Sequence, residues 1–166
     1  MISPIVLFML SLKNPLLLDE QQLMLQLSEW RNQQALAIEQ LRLCAEPPVD
    51  APCQALESHS LTRGQAIYVY FEPRNVSQSV RDEGFHTELS QSLSLYDDAD
   101  RALWSRPDLL SWNDTQTQPR LEYRGVNRID TAGLPAGDYR IKVTLHDRTK
   151  DQSTSQSLTF EVREQP

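Results

Sequence analysis

Residues 19 to 43 carry apolar side chains at helical spacing. Leu23, Leu27, Trp30, Gln34, Ala37 and Leu41 recur at alternating intervals of four and three, and Met24, Ala35 and Ile38 widen the same stripe. Asp19 with Gln22 three residues on makes a capping box, and no proline or glycine intervenes before Glu46-Pro47-Pro48. The pattern predicts one long amphipathic helix over 19–45, about six or seven turns at 3.6 residues each. Its stripe, with Leu23, Leu27 and Trp30 at the centre, serves either to pack on the rest of the chain or to form a seam with a partner. Residues 46–60, with prolines at 47, 48 and 52, break the helix and read as a linker.

Beyond the linker the period changes from 3.6 to 2. Gln65 to Glu72, Phe85 to Tyr96, Arg120 to Gly125, Gly133 to Asp147 and Ser155 to Val162 alternate apolar with polar residues in whole or part. Turn-rich segments separate them, among them Asp97 to Ala102 and Pro107 to Pro119. Strands joined by turns, without a helical crossover of convincing length, predict an antiparallel sheet architecture over 61–166. In the strand that starts after Gly137, Tyr139, Ile141, Val143 and Leu145 should face a core.

The run Leu134 to Val162, "LPAGDYRIKVTLHDRTKDQSTSQSLTFEV", resembles the last hairpin of immunoglobulin-like and fibronectin-like β-sandwich modules of bacterial envelope and secreted proteins. A Leu-Pro-x-Gly-x-Tyr turn leads a strand ending in Asp, and the closing strand ends in Phe-x-Val. The resemblance implies an immunoglobulin-like β-sandwich preceded by the long helix. It is silent on reaction or ligand, because such folds host many functions.

The N-terminal run "SPIVLFMLSL" gives residues 1–18 the character of a leader, a membrane tether or a packed segment. It is too short to span a bilayer as a helix, and no basic residue precedes it. Cys44 and Cys53, nine apart with prolines that bend the chain between them, are expected to form a disulfide, which places the protein in the periplasm or cell envelope. The formal net charge is −7, from 16 basic and 23 acidic residues, with no basic stripe. Nucleic acid is therefore not an expected partner.

Chemistry-bearing motifs are sparse. No G-x-S-x-G string occurs, and "GLPAG" has Pro135 where a nucleophilic serine would sit. His59, His86 and His146 sit on different elements, and His146 and Asp147, as strand neighbours, should point to opposite faces. Asp97, Asp98 and Asp100 crowd one turn, as a calcium site requires, but no glycine or distal glutamate completes a loop of the EF-hand kind. Trp104 and Trp112 flank an expected loop close in sequence to Tyr96; such aromatics plug the end of a core, stack on sugars or anchor a partner. No cofactor is called for. The leading expectation is a non-catalytic envelope module that binds a protein partner or self-associates. The alternatives are a carbohydrate-binding or calcium-dependent recognition domain, and an enzyme of unrecognised type.

Overall fold

Local alternation builds the best-defined part of the molecule, and long-range pairing overrides it elsewhere. The computed structural model describes residues 19–49 and 52–164. The expected leader, tether or packed segment over 1–18 lies outside the described residues. The elements are helix α1 (Glu20–Gln33), then strands β1 (Ala37–Cys44), β2 (Ser60–Thr62), β3 (Ala66–Arg74), β4 (Ser79–Arg81), β5 (Gly84–Asp97), β6 (Ala102–Gln116), β7 (Gly125–Asp130), β8 (Gly137–Asp147) and β9 (Gln152–Arg163).

They form two sheets. The smaller is antiparallel in the order β1-β3-β7. Gly125 of β7 stands opposite Phe71 of β3, and any Cβ there would run into the buried Phe71 ring. The larger runs β2-β9-β8-β5, with β6 along the other edge of β5 and β4 continuing the edge that β8 leaves free. Its β2–β9 pairing is parallel, and the rest is antiparallel. Both sheets feed one hydrophobic core, with Ile67, Val69 and Phe71 from the smaller and Leu93, Leu95, Ile141, Val143 and Leu145 from the larger.

The strand after Gly137 behaves as its alternation requires. Tyr139, Ile141, Val143 and Leu145 are buried. Tyr139 stacks on Phe160 with ring centroids 5.5 Å apart, and its hydroxyl donates to the Pro135 carbonyl at 2.7 Å.

Two parts of the expected fold are corrected. The single long amphipathic helix over 19–45 is a helix followed by a strand. After Gln33 the backbone is captured by distant groups: Gln152 accepts from the Leu36 amide at 3.3 Å and Asn75 donates to the Ala35 carbonyl at 2.9 Å. Residues 37–44 then pair with β3 across a bulge in which Gln40 takes φ 54°. The short helix is held by polar contacts at its end. Asn32 and Gln78 exchange bonds of 2.9 and 3.0 Å, and Arg31 donates to the Leu121 carbonyl. Its stripe packs poorly on the chain: Leu23 and Trp30 are 51% and 55% exposed, and Leu27 is half-buried.

The immunoglobulin-like sandwich is also not what forms. The segment taken as a loop, Pro107 to Pro119, lies mostly within β6, a 15-residue strand that pairs along nearly the whole of β5. Strength is concentrated in one sheet of long strands, against a second of only three.

Cys44 and Cys53 are joined by a disulfide, with Cα atoms 6.0 Å apart. Arg42 donates to the Cys53 carbonyl at 3.2 Å and the Leu56 amide to the Leu43 carbonyl at 2.9 Å. The 46–60 segment is thereby tied to the end of β1. Among the described residues no helix is long and apolar enough to cross a membrane.

Candidate functional site

Because β8 buries its odd-numbered side chains, Arg140, Lys142, Thr144 and His146 face outward. The β5–β8 register sets Tyr96 opposite Arg140, Ser94 opposite Lys142, Ser92 opposite Thr144 and Ser90 opposite His146. On the next strand, Thr159, Ser157, Ser155 and Ser153 extend the same rows. Across β5, β8 and β9 the outer face is thus a grid of hydroxyls punctuated by one aromatic ring and a few cations.

At one end of this face lies a groove of about 580 Å³. Arg140 lines it with its guanidinium 4.2 Å from the Tyr96 ring centroid, a cation–π contact, and also pairs with Asp100. Asp97 accepts from the Arg101 amide at 2.9 Å and from its guanidinium at 2.8 Å, and these bonds hold its carboxyl below the usual carboxylate range. Asp98 and Asp138 also line the groove, and among the described residues neither carboxylate accepts a hydrogen bond, although Asp98 still feels the charge of Arg101. On the far wall His59 donates from Nδ1 to the Thr159 carbonyl at 2.9 Å, which leaves Nε2 free to face a ligand.

Such a groove offers carboxylates, an imidazole and a guanidinium as directional hydrogen-bonding groups beside an aromatic ring. Its acidic side chains outnumber its basic ones, so it suits a neutral or cationic polyhydroxylated ligand better than an anion.

The candidate residues separate. The Asp97, Asp98 and Asp100 turn lines the groove, and Tyr96 adjoins it through the stacked Arg140. As a calcium site the turn is spent, because Arg101 and Arg140 occupy two of its three carboxylates. Among the described residues no group of three His, Cys, Asp or Glu is gathered as metal ligands. Trp104 and Trp112 lie on β6 opposite Leu95 and Leu89, and both pack against the core, Trp112 meeting Tyr123 edge-on at 6.1 Å. Leu23, Leu27 and Trp30 sit on α1, outside the groove. His146 and Asp147 face opposite ways: Asp147 is buried and accepts from the Ser77 and Thr149 amides at 2.7 and 3.0 Å. Sequence reasoning missed Arg140, Asp138 and His59. Alternation places Arg140 and Asp138 outward, but only the strand register reveals what they face.

No family model matches the chain, and no curated protein does. Among solved structures, similar ones include an alkylpurine DNA glycosylase of Pseudomonas fluorescens bound to DNA with an abasic-site analogue (10% identity, TM-score 0.46, covering 77% of this chain and 30% of that one). A family 123 glycoside hydrolase of Clostridium perfringens, which hydrolyses glycolipid glycans, is similar at 8% identity and TM-score 0.48, covering 80% of this chain and 28% of that one. A β-glucuronidase of Bacteroides uniformis is similar at 12% identity and TM-score 0.38, covering 76% and 13%.

All three are enzymes. None of the three supports the expected non-catalytic, protein-binding module or the expectation that the chain is no enzyme. The chain spans under a third of each, and at these scores the likeness passes no reaction, substrate or residue on to it.

Proposed function

We propose that the protein recognises carbohydrate, outside the cytoplasm, through the groove beside Tyr96. One observation carries this reading: the Arg140 guanidinium, stacked on the Tyr96 ring, shares the groove with two carboxylates, Asp98 and Asp138, that accept no hydrogen bond among the described residues. A sugar presents an apolar C–H face and a rim of hydroxyls. The ring meets the first, and planar ionic groups, which bond in pairs, meet the second. The acidic lining favours neutral or amino sugars over uronic acids. The Cys44–Cys53 disulfide supports an oxidising setting, such as the periplasm or the cell envelope.

The test is native gel electrophoresis through gels containing hydroxyethylcellulose, xylan, galactomannan, laminarin or glycol chitosan. At least one polymer should retard the protein, and Tyr96→Ala, checked for an unchanged melting profile, should migrate as in the plain gel. If none of the five slows the native protein, the proposal fails.

A further inference from the structure

The same face holds a second cleft, six residues along the strands from the groove. It encloses about 440 Å³ where β5, β8 and β9 meet the bulge of β6. Ser90 lines it. That residue is only 4% exposed, and its hydroxyl has no hydrogen-bond partner among the described residues. A buried polar group left unpaired is costly, so a ligand hydroxyl that displaced its cover and bonded to it would recover that cost.

The walls are built for hydroxyls as well. The Ser153 hydroxyl and His146 Nδ1 share a 2.7 Å hydrogen bond, and His146 Nε2 has no partner among the described residues. Arg148 and Asp108 form an exposed ion pair of 3.4 Å, long enough to open for a competing partner. Asp108 takes φ 48°, a strained conformation for a residue with a Cβ, and its amide donates to Ser92 at 3.3 Å.

We infer that the groove at Tyr96 and the cleft at Ser90 are two ends of one binding path, and that the ligand is a linear oligosaccharide rather than a single sugar. This rests on the carbohydrate reading of the groove. From Tyr96 to Ser90 the strand advances about 20 Å at roughly 3.3 Å per residue, the length of a short oligosaccharide. Between the ends the path runs over Ser92, Ser94, Lys142 and Thr144, all polar residues of β5 and β8. Lys142 adds a donor along the way and favours ring and hydroxyl oxygens.

The polysaccharide that retards the protein supplies the probes, as its disaccharide and its hexasaccharide, each titrated by calorimetry. The hexasaccharide should bind at least about tenfold more tightly, a difference of roughly 1.4 kcal/mol. His146→Ala, and separately Ser153→Ala, both at exposed positions, should bring the hexasaccharide down toward the disaccharide and leave the disaccharide unchanged. Equal affinity for the two lengths in the native protein overturns the path and leaves the groove standing. So does a hexasaccharide affinity that neither variant alters. If no polysaccharide retards the protein, the groove and the path fall together.

Discussion

Tyr70 donates its phenol proton to Glu72 at 2.6 Å while only 1% exposed, and Arg74 holds the same carboxylate at 2.7 Å. Burial first, then the hydrogen bond to Glu72 and that carboxylate's charge, push the phenol up to about 12. In the unfolded chain it ionises near 10. Its contribution to stability is therefore complete below pH 10 and is lost as pH rises from 10 to 12, up to about 3 kcal/mol. Tyr123 and Tyr139, also pushed up by burial, act in the same sense. Chemical denaturation between pH 9 and 12 should show a steep fall in the native protein and a shallower one in Tyr70→Phe. In the core, Asn127 donates to Gln91 at 3.2 Å across the two sheets, leaving Gln91 Nε2 and Asn127 Oδ1 without partners among the described residues. Replacing one amide by leucine strands the other, so Gln91→Leu or Asn127→Leu should each cost about 1–3 kcal/mol. The double variant should recover much of the loss, and urea unfolding of all four proteins measures that coupling.

Among the elements, β6 carries the largest risk. Beyond its pairing with β5 its other edge is unpaired among the described residues, and an open edge of 15 residues invites another chain. Pro107, Asp108 and the register shift opposite Gln91 to Leu93 interrupt it at mid-length. Pro107→Val with Asp108→Thr should leave the monomer folded but raise its tendency to aggregate, seen as light scattering that grows with time and concentration. The features that protect β6 also disguised it. Proline, aspartate and asparagine read as a turn, and only the pairing with β5 shows them tolerated on an edge strand. Residues 37–44 misled for a different reason. "AIEQLRLC" satisfies both periods, and the choice fell to β3, a partner distant in sequence. The hairpin of β8 and β9 was legible because its turn residues, its alternation and its partner are all local. At the candidate site, Tyr96 and the aspartate turn could be noticed from residue types alone. Arg140, 44 positions beyond Tyr96 but opposite it in register, could not.

At the scale of the whole molecule, the disulfide closes a loop of sequence separation nine, and its main effect is to restrict the unfolded chain. Reduction, or the pair Cys44→Ala and Cys53→Ala, should lower stability by about 2–3 kcal/mol without altering the sheets. Guanidinium unfolding with and without reductant measures the difference. A loss near zero would mean that the contacts around Cys53 and Leu56 hold the segment unaided. The parallel pairing of β2 with β9 has a consequence in time. Leu61 lies beside Val162, so a strand made early waits through about a hundred residues of synthesis for the neighbour that completes it. The link between Cys44 and Cys53 needs no such wait. The oxidised loop can therefore hold the segment before β2 while the rest of the chain emerges, and a nascent protein kept reduced would leave that sheet margin open for longest.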